Sequence, residues 1–138
     1  SPTMQAFLEP LTAVHDGARP YQGNYNYAPV DGEAHPKSEH PVIGVHPHSG
    51  RRVLYVNAGF TTRIKGLTAT ESEAILQMLF RHIESGVRFQ CRVRWDPNTL
   101  VFWDNRCTQH HAAWDYYPYS RYGERVSIIG EPPAAVAA

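Results

Sequence analysis

A mainly β chain with helical support is predicted, with antiparallel strands closing a sandwich or barrel around a pocket and a helix packed outside. Three observations carry this expectation. Residues 87–95, VRFQCRVRW, alternate apolar and polar side chains as a half-buried strand does. Short strand-like runs recur between turn signals at 41–46, 52–57, 99–103 and 121–129. Residues 67–86 instead show the spacing of an amphipathic helix.

Each element follows from local chemistry. Ser1 and Pro2 read as an N-cap and first helical residue, and Met4, Phe7, Leu8, Leu11 and Val14 keep helical spacing over 1–15. Pro10 should kink or shorten that helix. The chain opens inside this helix signal without an initiator methionine, as would a processed natural N-terminus or a longer protein cut at a helix boundary. Residues 16–40 hold glycines, prolines and tyrosines without periodicity, which predicts a lid loop. Two strands, 41–46 and 52–57, should join through a turn at His48-Ser49-Gly50. In the following helix Thr68 and Glu71 form a capping box, Ile75, Leu76, Leu79 and Ile83 make the apolar face, and Gly86 supplies the stop. Strands at 87–95, 99–103 and 121–129 complete the set, and the tail EPPAAVAA is expected to fray.

The totals exclude several classes of function. Thirteen basic and 13 acidic residues cancel, which leaves no electrostatic case for nucleic acid or an anionic membrane. Cys91 and Cys107 lack metal-binding or redox-motif spacing and fit a reducing compartment. No apolar run approaches the ~20 residues of a membrane helix, and no signal-peptide pattern is present. A cytoplasmic protein of one domain, or part of one, is expected.

The chemistry concentrates in residues 101–130. On a strand, Arg121, Gly123, Arg125, Ser127 and Ile129 would share one face, so two guanidinium forks could meet two separate anions. A solvated face would carry the same alternation, which does not separate the two readings. His110 is of the type that most often ligates transition metals, yet a lone histidine is as readily a hydrogen-bonded loop residue. Trp114, Tyr116, Tyr117 and Tyr119 lie between them, either as packing or as a wall for a flat substrate.

Taken together, HPVIGVHPHSGRRVLYVNAGFTTRIKGL, then FWDNRCTQH, then an arginine eleven residues on, resemble the iron(II)- and 2-oxoglutarate-dependent taurine dioxygenase (TauD/TfdA) family. The likeness runs from the first helix to SIIGEPP and covers the C-terminal half of a family member. The resemblance implies a double-stranded β-helix, or jelly roll, with flanking helices, of which residues 1–138 are the C-terminal part of a single domain and 16–40 the lid. It implies iron(II), 2-oxoglutarate and dioxygen, with His110 as a metal ligand, Arg121 holding the far carboxylate of 2-oxoglutarate, and Arg125 holding a substrate anion. Phe60 would wall the substrate pocket and Trp103 would lie beside the metal ligand. The implied partner is a small anionic organic molecule, most readily a sulfonate such as taurine, with a homo-oligomer as the assembly to test. Its hydroxylation would yield an aldehyde and sulfite, with succinate and carbon dioxide from the co-substrate. The same chemistry on a phenoxyalkanoate or other carboxylate, a non-catalytic jelly-roll binding domain, and a structural fragment without independent function are the alternatives.

The family's remaining ligands, His-x-Asp or His-x-Glu, are not found where they could act. His82-Ile83-Glu84 has the spacing but lies in the amphipathic helix, where residues two apart point to nearly opposite sides. His46-Pro47-His48 falls at a turn and resembles no iron site, although it could take an opportunistic metal. One ligand cannot hold iron(II) usefully, so these 138 residues alone are expected to be inactive.

Overall fold

The computed structural model describes residues 1–23 and 34–137. Its order is α1 (Pro2–Leu8), β1 (Thr12–Asp16), α2 (Ala18–Gly23), β2 (Lys37–Pro41), β3 (Ile43–Val45), β4 (Arg52–Leu54), β5 (Thr61–Ile64), α3 (Ala69–Ser85) and β6 (Ala134–Ala135), with a 3-10 turn at Val87–Phe89. Two three-stranded antiparallel sheets run β2-β1-β5 and β4-β3-β6.

Ser1 caps α1 by accepting from the Met4 N–H, and Pro2 occupies its first turn, as expected. The helix is shorter than its apolar spacing suggested. It stops ahead of Pro10, and Val14 belongs to β1 instead. Burial alternates along β1, with Ala13 and His15 turned inward, because strand side chains alternate in direction. A register shift at Val14/His15 marks a bulge against β5.

Part of the expected lid is structured: Gly17 leads into α2, and β2 pairs along β1 from Asp16↔Lys37 to Thr12↔Pro41. The stretch 24–33, with Tyr25 and Tyr27, lies outside the described residues. The expected hairpin is present as β3 and β4, in register Ile43↔Leu54 to Val45↔Arg52. Its turn closes with the Gly50 N–H donating to the His46 carbonyl (2.9 Å), and Gly50 adopts φ +66°, a value that favours glycine.

α3 is the most locally determined element. Thr68 and Glu71 form the full capping box, and Leu76, Leu79 and Phe80 turn inward. Burying each of these stabilises the fold by roughly 1.5–3 kcal/mol. Leu8, Ala13, Val42, Ile43, Val56 and Ile64 meet them from α1, the two sheets and the linking segments. The buried Ser72 hydroxyl accepts from the Ile64 N–H (2.8 Å) and so seats α3 on β5.

The C-terminal third departs from expectation. None of the strands anticipated at 87–95, 99–103 and 121–129 is present. Alternation states which face of a strand would be buried, but a strand also needs a neighbour to take its N–H and C=O groups. Among the described residues no segment pairs with 90–133, and most of its large apolar side chains stay exposed, Phe102 at 85% and Ile129 at 98%. The tail expected to fray does the opposite. Ala134 and Ala135 pair with Val45 and Gly44, and Val136 packs on the core.

Candidate functional site

The segment 103–110 is wound around Asp104. Its carbonyl accepts from the Cys107 N–H (3.1 Å), the Thr108 N–H (2.9 Å) and the Thr108 hydroxyl (2.7 Å). Its carboxylate accepts from the Arg106 backbone N–H (2.9 Å) and from the Arg106 guanidinium at Nε (2.8 Å) and one terminal nitrogen (2.6 Å). His46 Nε2 lies 3.0 Å from the second carboxylate oxygen. The Arg106 guanidinium, and after it His46, hold the Asp104 carboxyl well below the usual carboxylate range. Two contacts tie the segment to the sheets: the His46–Asp104 bond and a bond from Gln109 Nε2 to the Val56 carbonyl (2.8 Å).

His110 follows directly. Its ring lies 5.0 Å from that of Trp103, whose indole N–H donates to Asn105 (2.9 Å). Among the described residues His110 has no hydrogen-bond partner, so its ring nitrogens are available as donors to a metal. The Arg121 guanidinium sits over the Tyr116 ring, 5.4 Å from its centre. Neither Arg121 nor Arg125 forms an ion pair among the described residues, which leaves both forks open to an anion.

These placements correct part of the reasoning from sequence. Arg121 and Arg125 are not on a strand, so the alternation argument for a shared face fails here. His110, Arg121 and Arg125 are all exposed, and the described residues do not wall them into a cavity. Phe60 lies in a turn, 38% exposed, where its N–H donates to Asn57 Oδ1 (2.8 Å) and its carbonyl accepts from the Asp16 N–H (2.9 Å). The aromatic stretch is tied back by an ion pair between Asp115 and Arg92.

Among the described residues one group of metal-ligating side chains converges, His46, Asp104 and Cys107, with donor atoms within 4.8 Å of one another. It does not include His110. Sequence reasoning passed over this cluster, although both halves lay in quoted motifs, HPHSG and WDNRC. Nothing local signals that residues fifty-eight apart will meet. His110 offers an imidazole, a group that ligates transition metals, and Arg121 and Arg125 offer guanidinium forks, groups that bind anions.

Comparison with known proteins identifies the family. The model of the taurine catabolism dioxygenase TauD, TfdA family matches residues 1–127, and the chain belongs to that family. It is 33% identical over 96% of its length to an alpha-ketoglutarate-dependent sulfonate dioxygenase of Saccharomyces cerevisiae, covering 32% of that protein. It is 36% identical over 96% of its length to an alpha-ketoglutarate-dependent sulfate ester dioxygenase of Pseudomonas putida, covering 48% of it. An alpha-ketoglutarate-dependent dioxygenase of Penicillium expansum is 40% identical over 88% of the chain and covered to 34%. A crystal structure of a taurine dioxygenase from Burkholderia xenovorans matches 59% of the chain and 24% of its own, at 36% identity and a TM-score of 0.48. The chain spans about a third to a half of the curated relatives it matches. Its family is one of oxidoreductases that use iron(II), 2-oxoglutarate and dioxygen.

Proposed function

We propose that this chain is the part of a jelly-roll dioxygenase that supplies one imidazole to iron(II) through His110, the anchor for the far carboxylate of 2-oxoglutarate through Arg121, and the anchor for the substrate anion through Arg125. The carrying observation is the run FWDNRCTQH with an arginine eleven residues after its histidine, inside the matched family span. With the metal bound, the site supplies oxidative hydroxylation at carbon coupled to decarboxylation of 2-oxoglutarate. The residues of this chain orient the reactants. Arg121 would hold the diacid by its far carboxylate and Arg125 would grip the substrate anion, so that each fixes the orientation of one reactant. Trp103 and Phe60 supply apolar surface against water.

The substrate class is a small organic anion bearing sulfur and oxygen, foremost a sulfonate such as taurine. The names of the yeast and Pseudomonas relatives support this reading. Hydroxylation of the carbon bearing the sulfonate releases sulfite and leaves an aldehyde, with succinate and carbon dioxide as co-products. A phenoxyalkanoate is the second reading, favoured by Trp114 and Tyr116, whose rings stack at 6.2 Å. The free cysteines, Cys91 and Cys107, suit a cytoplasmic setting. No helix among the described residues is long and apolar enough to cross a membrane.

The test is substrate-dependent succinate formation by the full-length protein with iron(II), 2-oxoglutarate and a panel of sulfonates, sulfate esters and phenoxyalkanoates. Arg121→Ala should raise the KM for 2-oxoglutarate, and Arg125→Ala that for the sulfonate, each roughly 10- to 100-fold. Unchanged KM values in both variants would defeat the assignment. The 138 residues alone should form no succinate under the same conditions.

A further inference from the structure

His46 has no role in the chemistry proposed above, yet its surroundings are unusually specified. The Ser49 backbone N–H donates to its Nδ1 (3.2 Å), and the Ser49 hydroxyl lies 3.1 Å from the same atom. A backbone N–H can only donate, so Nδ1 carries the lone pair and the proton of the neutral ring sits on Nε2. That N–H points at Asp104, 3.0 Å away. The Gly50 N–H on the His46 carbonyl and the His46 N–H on the Arg51 carbonyl (both 2.9 Å) fix the backbone beneath the ring. His46 is therefore a donor held in one tautomer at the end of β3.

Its acceptor, Asp104, is the hub of residues 104–108, and Gln109 makes the second attachment, to Val56. The residue after Gln109 is His110. Between the two tethers the chain is held by the turn around Asp104, and Trp103 at its start contacts the His110 ring.

We propose that His46, acting through Asp104, and Gln109 are positioning residues that hold His110 in place for metal binding. This rests on the reading of His110 as an iron ligand. The rival use of the same atoms, a metal bound by His46, Asp104 and Cys107, conflicts with the hydrogen bonding. A metal at Nε2 requires the proton to move to Nδ1, against the Ser49 N–H, and replaces the Nε2–H bond to Asp104.

The experiment measures iron(II) dissociation constants anaerobically for the full-length protein and its variants, with melting curves of the metal-free forms as a fold control. Partners that orient a metal-binding histidine are worth about 10- to 100-fold in affinity, and His46→Ala should lose that much. His46→Gln, which keeps an N–H donor at the Nε2 position, should recover most of it. Gln109→Met, of similar shape but unable to donate, should also weaken binding, and it decides the matter if His46→Ala does not fold. Wild-type affinity in a folded His46→Ala or in Gln109→Met would overturn the proposal, as would a His46→Gln no better than His46→Ala. Cobalt(II) gives the remaining arm: a thiolate-to-cobalt absorption band lost in Cys107→Ser would overturn positioning in favour of a bound metal at the cluster. His110→Ala separates the two levels. Iron binding unaffected there defeats the ligand assignment itself, whereas binding lost there and intact in His46→Ala defeats positioning alone.

Discussion

His15 illustrates how surroundings set the chemistry of one side chain. It is 8% exposed in β1, with its ring 5.0 Å from that of His40 and 5.7 Å from that of Tyr55. Burial lowers its pKa to about 4, the nearby His40 pushes the same way, and a hydrogen bond with the Tyr55 backbone opposes them. Burial lowers His40 as well. A base whose folded pKa lies below its unfolded value, 6.5, binds protons preferentially in the unfolded chain. His15 therefore costs nothing above about pH 6.5, and stability falls as pH drops from there toward 4. By pH 5 the loss from this group should be about 2 kcal/mol. Urea unfolding at pH 7 and pH 5 measures it, with His15→Gln as the variant that should flatten the difference. Equal pH sensitivity in wild type and variant would show that the acid-sensitive groups lie elsewhere. The histidine itself is plain in the sequence; its burial against His40 follows from the pairing of β1 with β2.

At the scale of elements, α3 was legible because its signals are local. The Thr68 hydroxyl accepts from the Glu71 N–H while the Glu71 carboxylate accepts from the Thr68 N–H, all within one turn. Replacing Thr68 by Ala should cost about 1 kcal/mol by chemical denaturation. Ser72 behaves differently. Its hydroxyl lies outside the capping turn and meets the N–H of Ile64 on β5. Ser72→Ala leaves that buried donor unpaired and should cost roughly 1–3 kcal/mol, more than the cap. Equal losses for the two variants would mean that the Ser72 bond adds little beyond a surface contact. The three-residue strands β3 and β4 were found because Gly50 marks their turn, whereas β5 and β6 carry no such mark.

For the whole molecule the contrast lies between the described residues up to 86, which bury a core among α1, α3 and the sheets, and residues 87–133, which bury little. Apolar side chains including Val87, Phe102, Val126, Ile128 and Ile129 stay open to water. Surfaces of this kind bind apolar dyes and drive association. The 138-residue chain should enhance the fluorescence of such a dye in its native state, and its amides at 90–133 should exchange hydrogen far faster than those of β1 and α3. Protection at 121–129 equal to that of α3 would contradict this partition. The same openness places His110, Arg121 and Arg125 at the surface. Residue types and spacing identified them as candidates, but an enclosed pocket needs walls on every side, and a motif cannot supply walls.

The amino-acid order by itself determined what depends on near neighbours: the capped helix at 69–85, the turn at Gly50, and the FWDNRCTQH run inside the matched family span. Tertiary structure decided what depends on distant partners. It joined His46 to Asp104, seated Ser72 under Ile64, and turned an expected loose tail into a strand on β3. It also left three expected strands without ladders, since sequence pattern sets the direction of a side chain and only a neighbouring strand satisfies the backbone.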